Sequence, residues 1–367
     1  MAARAASSAL ILCVACTDPP PIRPPVSEPA PEPSATVATP PPFVPKPVVL
    51  DAKAMGTKIV ISSFTTPELD ETKVGAALAK GYREMVRLEK LMSTWVPASE
   101  VSRINLSGAK APVVVGPDTF AVIEKSIWIG AESGGVFDIT FEAMHGMWKF
   151  DEGAEARVPT KKDIDKAKKL IDYRNIEIDS AASSVRLKKE GVRINLGGIA
   201  KGYAVDAAGR VLEAEGLKSF FVQAGGDLFV RGKKPDGSKF RVGVRDPRGK
   251  NEWDTIALLE VEDHAFSTAG DYERSFVLDG KRYHHIIDPR TGYPASESRS
   301  VTVWAKDAFT ADAIDDAVFI LGAEKGLALV EKIDGAGAVI VDKDNKVWVS
   351  KRLEGLVQIL RKPTEGP

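Results

Sequence analysis

The spacing of apolar and polar residues predicts alternating helices and strands from about residue 48 to residue 361. Over residues 71–92, apolar side chains recur every three or four positions, which indicates an amphipathic helix. Further helices are predicted at 118–132, 198–215, 311–321 and 324–332. Strands are predicted at 58–64, 220–224, 228–231, 240–244, 256–261, 275–278 and 300–304. A hairpin that turns at Asp344 and Asn345 closes the pattern. Helices mixed with hairpin-linked strands favour an α+β fold, a single large domain of mixed helices and antiparallel strands, over a doubly wound parallel sheet.

Residues 1–16 have the pattern of a lipoprotein export signal. Arg4 precedes a short apolar run, residues 5–14, which has the length of a signal core and is too short to span a bilayer. Small residues then precede Cys16, the cysteine that a bacterial lipobox would lipidate, although Cys13 stands where leucine is usual. An uncleaved signal anchor and a misassigned start codon are the alternatives. We therefore predict an exported protein, lipid-anchored through Cys16 to a bacterial membrane and facing the periplasm.

Residues 17–48 predict a disordered, proline-rich linker. They hold more than half of the 24 prolines, interleaved with Ser, Ala, Thr and Glu. Such a segment cannot build a core and favours extended polyproline II, which makes it a semi-rigid spacer. The predicted globular domain then covers residues 49–362, and residues 363–367 form a short tail. We find no repeat of fixed period.

Composition and charge exclude several classes of protein. The chain has 367 residues, of which 44% are hydrophobic and 28% charged, enough apolar material for a sizeable core. The net charge is -1, and no basic stripe indicates a nucleic-acid partner. The only cysteines, Cys13 and Cys16, lie in the predicted signal segment. The remaining chain therefore has no disulfide, thiolate zinc site or cysteine nucleophile.

Three segments rich in glycine or hydroxyl groups are candidates for phosphate contact. Residues 195–206 run from a strand end through two glycines into a helix, whose free amides and dipole favour phosphate. A tight strand-to-helix turn is the alternative there. Residues 225–227, Gly-Gly-Asp, are better explained as a hairpin turn. Residues 267–273, Ser-Thr-Ala-Gly-Asp-Tyr-Glu, offer two hydroxyls and a glycine, with a polar loop between strands as the alternative.

Two histidines precede the turn sequence Asp-Pro-Arg-Thr-Gly at residues 288–292. His284 and His285 are predicted to lie in a strand, where alternation sends neighbouring side chains to opposite faces. One ring can then face a cleft. Histidine is well suited to moving a proton near neutral pH, so a catalytic role competes with a structural one.

Asp312 and Asp316 lie one turn apart on a predicted helix, where like charges repel. Paired carboxylates of this kind are ligands that Mg²⁺ accepts, together with substrate phosphates and waters. A solvated acidic first turn, favoured by the helix dipole, is the alternative. The apolar neighbours Ala311, Ala313 and Ala317 argue against free solvation. These residues therefore predict a magnesium site.

Taken in order, eight motifs resemble those of the ApbE family, flavin transferases that move FMN from FAD onto a protein threonine. They cover nearly the whole globular part, at residues 55–57, 93–95, 135–140, 197–202, 225–227, 267–272, 285–292 and 311–313. The resemblance implies an ApbE-like, T-fold-related architecture and Mg²⁺-dependent transfer of FMN from FAD to a Ser or Thr of a target protein, releasing AMP. The acceptor class it implies is a membrane redox subunit. FAD hydrolysis to FMN and AMP, and non-catalytic flavin binding, are the alternative functions.

The same resemblance assigns roles to individual residues. Magnesium ligands would be Asp312, the main-chain carbonyl of Ala200 and Asp316, the last in place of a usual threonine. Residues implied to line the flavin and adenine pockets are Met55, Ser93, Thr94, Trp95, Phe137 and Asp138. Residues implied to face the pyrophosphate are Gly198, Lys201, Thr268 and Gly270. His285 is the first candidate for the catalytic base, and Asp316 is the second. The chain departs from the family pattern at Ile139, Gln223 and Ala269.

Overall fold

A computed structural model describes residues 43–366, apart from 151, 152, 154 and 252. The predicted signal segment, Cys16 and most of the predicted linker lie outside the described residues. No helix within the described ranges combines the length and the apolar character needed to cross a bilayer.

Eighteen strands and six α-helices make up the described chain, together with three short 3₁₀ helices. The strands are β1 (Pro47–Ala54), β2 (Thr57–Phe64), β3 (Val113–Val114), β4 (Ile176–Asp179), β5 (Ser184–Leu187), β6 (Phe220–Ala224), β7 (Asp227–Arg231), β8 (Phe240–Arg245), β9 (Thr255–Val261), β10 (His264–Gly270), β11 (Ser275–Leu278), β12 (Lys281–His284), β13 (Ile287–Asp288), β14 (Tyr293–Pro294), β15 (Ser298–Ala305), β16 (Gly337–Asp342), β17 (Val347–Val349) and β18 (Val357–Ile359). The α-helices are α1 (Glu71–Met92), α2 (Glu100–Ser107), α3 (Pro117–Glu132), α4 (Lys161–Lys168), α5 (Ala200–Ala214) and α6 (Ala308–Lys332). The 3₁₀ helices are Ile139–Met144, Tyr173–Asn175 and Lys351–Leu353.

The framework is an eight-stranded antiparallel sheet in the order β1-β2-β6-β7-β10-β15-β16-β17. Its two faces belong to separate cores. Val301 and Val303 of β15 point into the larger core with helices α1, α5 and α6, whereas Trp304 points into a smaller core with β8 and β9. This period-two alternation, with a core on each side, explains why β15 is buried almost throughout. The predicted α+β class, with antiparallel pairing, is confirmed.

Local signals fix the ends of the helices that support the site. Asp70 caps α1, its side chain accepting a hydrogen bond from the Lys73 amide, and α1 has the bounds that its apolar spacing predicts. Helix α6 is interrupted at Gly322, which has φ 75° and ψ -179°. This is the predicted break between residues 321 and 324. Only glycine adopts that backbone region without strain.

Three parts of the structure differ from the pattern-based expectations. Residues 267–270, for which a polar loop was an alternative, lie in β10 between β7 and β15. Strand β1 begins at Pro47, so the last two residues of the predicted linker 17–48 belong to the sheet. In the predicted tail 363–367, the Thr364 amide and hydroxyl donate to the Asp246 carboxylate.

Candidate functional site

The site is built where α5 and α6 cross with their backbones almost in contact. A Cβ atom at Gly202 would lie 2.2 Å from the Ala308 carbonyl oxygen and 2.6 Å from Asp312 Cβ, so no larger residue fits. The Gly202 amide donates a 2.7 Å hydrogen bond to Asp312 Oδ2. Because Ala200 is the first residue of α5, the crossing places Asp312 at the amino end of that helix. The helix dipole there favours negative charge.

A cluster of carboxylates surrounds the Lys201 ammonium group. Lys201 Nζ lies 2.5 Å from Asp227 Oδ2 and 3.2 Å from Asp312 Oδ1. Both partners are buried, with side-chain exposures of 1% and 2%. Burial alone would lower the pKa of Lys201, but the nearby carboxylates outweigh that effect and raise its pKa well above the ordinary value. Lys201 therefore stays protonated and holds Asp227 and Asp312 in place.

Ser267 links Asp227 of this cluster to one further carboxyl group, that of Asp315. Its Oγ lies 2.6 Å from both Asp227 Oδ1 and Asp315 Oδ2. A hydroxyl carries one proton, so one of these two short contacts requires a protonated acid. Burial, reinforced by Asp316 and Asp312, raises the pKa of Asp315 well above its ordinary range. Asp315 therefore carries the second proton and donates to Ser267, which in turn donates to Asp227.

Asp312 and Asp316 lie one turn apart on α6, and the pKa of each carboxyl group is raised above its ordinary value. Burial, with repulsion from Asp227, raises the pKa of Asp312 to about 7. Burial also raises the pKa of Asp316 to about 6, although part of that side chain remains accessible to solvent. Within the described residues, the Asp316 carboxylate has no hydrogen-bond partner, and its Oδ2 lies 3.1 Å from the position of a Cβ on Gly198. Asp316 thus faces the glycine turn with free oxygen atoms.

These donors fit a divalent cation. Lys201 neutralises only part of the charge on Asp227, Asp312 and Asp316, and free carboxylate oxygen atoms are the ligands that Mg²⁺ prefers. No group of three or more His, Cys, Asp or Glu side chains within the described chain is arranged to hold a metal. A cation at Asp312 and Asp316 would therefore need a main-chain ligand or a substrate phosphate. The carbonyl of Ala200, at the start of α5, suits the first of these.

The two histidines lie in different surroundings, but the predicted strand holds only one of them: β12 ends at His284, and His285 lies in the bend that follows. His284 is buried, and its Nε2 lies 2.8 Å from the Ala295 carbonyl oxygen, to which it donates. His285 is accessible to solvent, although protein atoms crowd its ring. That desolvation, with the neighbouring His284, Arg274 and Lys201, lowers the pKa of His285 to about 3. His284 is structural, and the lowered pKa of His285 favours the neutral form of its ring.

The residues predicted to line the flavin and adenine pockets differ in how accessible they are. Met55 lies at the turn between β1 and β2 with φ 54°. Ser93 caps the end of α1, Thr94 follows it, and Trp95 is 80% exposed with its ring 5.7 Å from that of His145. These positions leave Trp95 free to contact a ligand.

Asp138 is committed to the protein itself. Its Oδ1 accepts hydrogen bonds from the Thr140 amide at 2.8 Å and hydroxyl at 2.5 Å, and its Oδ2 accepts from the Tyr173 amide at 2.7 Å. The buried Phe137 lies against the Gly198 turn. Asp138 therefore shapes its loop, and a ligand contact through its carboxylate would cost these bonds.

Two surface cavities, of about 220 and 330 Å³, lie outside the carboxylate cluster, since Lys201, Asp312 and Asp316 line neither. The larger cavity is bordered by Asp138 and Arg290. It adjoins the segment that the sequence assigns to the adenine and flavin pockets.

The hydroxyl-rich segment lies on β10. Thr268 is half-buried, with its Oγ1 3.1 Å from Thr302 Oγ1, and its backbone packs against Gly226, where a Cβ would approach the Thr268 carbonyl to 2.7 Å. Gly270 ends the strand against the Tyr272 ring. The Gly-Gly-Asp turn at 225–227 and the hydroxyl-rich segment 267–273 are thus neighbours.

Sequence reasoning did not predict that Asp227, Ser267 and Asp315 contact one another in this cluster. Asp227 was assigned to a hairpin turn; it follows the turn formed by Gly225 and Gly226 and is the first residue of β7. Asp315 is adjacent to Asp316, but helical geometry turns it toward β10. The sequence signal that could have found them is that each of the three is a polar residue beside residues that the structure buries.

Comparison with known proteins places this geometry in a family. Residues 55–340 match the family model described as "ApbE family". The FAD:protein FMN transferase of Treponema pallidum (strain Nichols) is 33% identical over 304 residues, which cover 78% of this chain and 83% of that protein. The FAD:protein FMN transferase of Escherichia coli (strain K12) is 30% identical over 334 residues, covering 89% and 92%.

Solved structures agree with this assignment. The ApbE protein of Thermotoga maritima superposes with a TM-score of 0.76 at 33% identity, covering 85% of this chain and 99% of that chain. The flavin transferase ApbE from Vibrio cholerae gives a TM-score of 0.75 at 26% identity, covering 85% and 100%. The predicted ApbE-like architecture is confirmed. A chain with this extent of match, and with the α5–α6 crossing described above, belongs to the ApbE family.

Proposed function

We propose that this chain is an enzyme that transfers FMN from FAD to a serine or threonine of an acceptor protein. The observation that carries the proposal is the buried carboxylate cluster around Lys201, at the amino end of α5, in a chain whose relatives are FAD:protein FMN transferases. A site with excess negative charge and free carboxylate oxygen atoms suits a cation that binds a diphosphate.

The reaction is a phosphoryl-group substitution in which the atoms balance. The acceptor hydroxyl oxygen forms a bond to the FMN-side phosphorus of FAD, and the bond from that phosphorus to the bridging oxygen breaks. AMP leaves with the bridging oxygen, and the hydroxyl proton passes to a base. The products are a phosphoester-linked FMN and free AMP.

Asp312, Asp316 and the Ala200 carbonyl would hold Mg²⁺, which when bound neutralises charge on the diphosphate and on the leaving AMP. Lys201 keeps Asp312 oriented through the contact at 3.2 Å and does not need to leave Asp227 to do so. The amide of Gly202 fixes the other oxygen of Asp312. The protein thus contributes orientation and charge, the two effects on which phosphoryl transfer chiefly depends.

The acceptor and the cellular location remain part of this proposal. The relatives' name implies a protein acceptor. The class of acceptor, a membrane redox subunit, follows from the family resemblance. A lipid anchor on Cys16 and a position facing the periplasm rest on residues 1–48, whose composition suits an anchor and a spacer.

The proposal is tested by incubating the chain with FAD, Mg²⁺ and a candidate acceptor, followed by mass spectrometry of the acceptor. We expect a mass increase equal to one FMN on a Ser or Thr, and AMP in equal amount. FMN released at the same rate without acceptor would instead assign the chain as a hydrolase. If FAD stays intact in the presence of Mg²⁺, the chain would be assigned as a non-catalytic flavin-binding protein.

The base is tested separately with His285→Gln. Because the pKa of His285 is lowered to about 3, its ring is neutral and can accept a proton at every pH from about 5 to 8. It is also a weak base, so we expect a rate loss of about tenfold, below the ~10²–10⁴-fold typical of a well-matched general base. The shape of the pH–rate profile should be unchanged in this window. A wild-type inflection between pH 5 and 8 that disappears in His285→Gln would contradict this assignment.

A further inference from the structure

Asp206 joins the two helices that carry the proposed site. It lies on α5, and its carboxylate oxygens accept hydrogen bonds from the amides of Ala308 and Phe309, both at 2.9 Å. These are the first two residues of α6, whose initial amides have no partner within the helix. A side chain of one helix therefore caps another helix.

The contact differs from an ordinary cap because α6 already has one. Asp307, the residue that precedes α6, accepts a 2.7 Å hydrogen bond from the Thr310 amide. Asp307 belongs to the same segment as α6 and cannot fix the position of that helix relative to another. Asp206 can, since it ties the backbone of α6 to α5.

The tie lies one turn from the site on both helices. Gly202 and Asp206 are four residues apart on α5, and Ala308 and Asp312 are four apart on α6. The Gly202–Asp312 bond and the Asp206–Ala308 bond thus form two successive contacts along one crossing. A slide of either helix would break both.

Because α5 and α6 pack so closely at Gly202, the position of α6 along α5 determines where Asp312 lies relative to Ala200. The Ala308 carbonyl lies so near Gly202 that even a methyl group would be only 2.2 Å from it. A helix this close cannot shift without moving Asp312 relative to Ala200, the two groups proposed to share a cation. Geometry at a metal site is sensitive to such movements, and groups that orient ligands affect affinity strongly.

We propose that Asp206 is a positioning residue that sets the register of α5 against α6 and thereby the geometry of the cation-binding groups Ala200, Asp312 and Asp316. This inference rests on the proposed function, because it deepens the role of that same site. The Asp206 carboxylate is bonded to the amides of Ala308 and Phe309, one turn away from the groups proposed to bind the cation. Its effect passes through the helix crossing.

The experiment compares Asp206→Ala with Asp307→Ala, because each variant removes a side-chain cap from the same end of α6. Binding of Mn²⁺, a paramagnetic probe of Mg²⁺ sites, is measured on the purified full chain by electron paramagnetic resonance without substrate. Thermal unfolding is recorded for both proteins. Asp206→Asn, which keeps the side-chain size and one acceptor oxygen, serves if Asp206→Ala does not fold.

We expect Asp206→Ala to weaken Mn²⁺ binding by roughly 10-fold, the lower end of the effect of residues that orient metal ligands. Asp307→Ala should lose a similar amount of thermal stability but keep the wild-type affinity. Equal Mn²⁺ affinity in wild type and in both Asp206 variants would overturn the inference. Absence of Mn²⁺ binding by the wild type would instead overturn the proposed cation site, so the two failures are distinguishable.

Discussion

Asp312→Asn should reduce FMN transfer by roughly 10³-fold, because it removes a charge from the cation-binding pair while preserving the shape of the side chain. The amide can still accept the hydrogen bond from Gly202, so the α5–α6 crossing should remain intact. FAD binding should change little, because the substitution leaves the flavin pocket unaltered. In-gel flavin fluorescence of the acceptor measures transfer, and quenching of FAD fluorescence measures binding.

Asp315→Asn is the matched control on the same helix. Asp315 is a protonated acid that donates to Ser267 Oγ and accepts from the Asp316 amide at 2.6 Å. An asparagine reproduces both bonds with its NH₂ and carbonyl groups. Transfer should therefore stay within about threefold of wild type, since a neutral group replaces a neutral group. Equal losses in Asp312→Asn and Asp315→Asn would refute the distinction between a charged ligand and a neutral structural acid.

Features that depend on neighbouring residues along the chain were predictable. Helix α1 follows from its apolar spacing, and it has the predicted bounds. Asp312 and Asp316 could be paired because four residues make one helical turn. The glycine turn within residues 195–206 and the helix that follows it could also be predicted, because both depend on residues next to one another in the sequence. In each case the interaction partners lie within a few residues of one another.

Features that depend on long-range contacts were not predictable from one sequence. Strand β10 contains Ser267, Ala269 and Gly270, which have weak strand preference, and it is a strand because β7 and β15 flank it. Ser267 meets Asp227 and Asp315 from 40 and 48 residues away. No spacing rule connects positions so distant.

Lys201 shows how contacts distant in sequence set the surroundings of a predicted site residue. The family resemblance implies that Lys201 faces the pyrophosphate. In the structure its ammonium group lies between Asp227 and Asp312. The partners that decide its role come from β7 and α6, which the glycine motif does not include.

The charge balance around Lys201 leads to the second large effect. Lys201→Met should destabilise the protein by about 3–5 kcal/mol near pH 8, the range observed when one partner of a buried ion pair is removed. The methionine keeps the length of the side chain but leaves Asp227 and Asp312 without a cation. Both carboxylates are almost fully buried, so water cannot replace the lost partner. Urea unfolding followed by tryptophan fluorescence measures the difference, and Lys201→Arg, which retains the charge, is the control.

This loss should shrink as the pH falls. The pKa of Asp312 is already raised to about 7 with Lys201 present, and removal of the lysine raises it further. The folded protein then binds more protons than the unfolded chain, in which an aspartate titrates near 3.9. Stability of the variant relative to wild type therefore rises as pH is lowered from about 8 to about 5. A Lys201→Met deficit that is the same at both pH values would show that the carboxylates do not carry the destabilising charge, and that lost packing accounts for the effect.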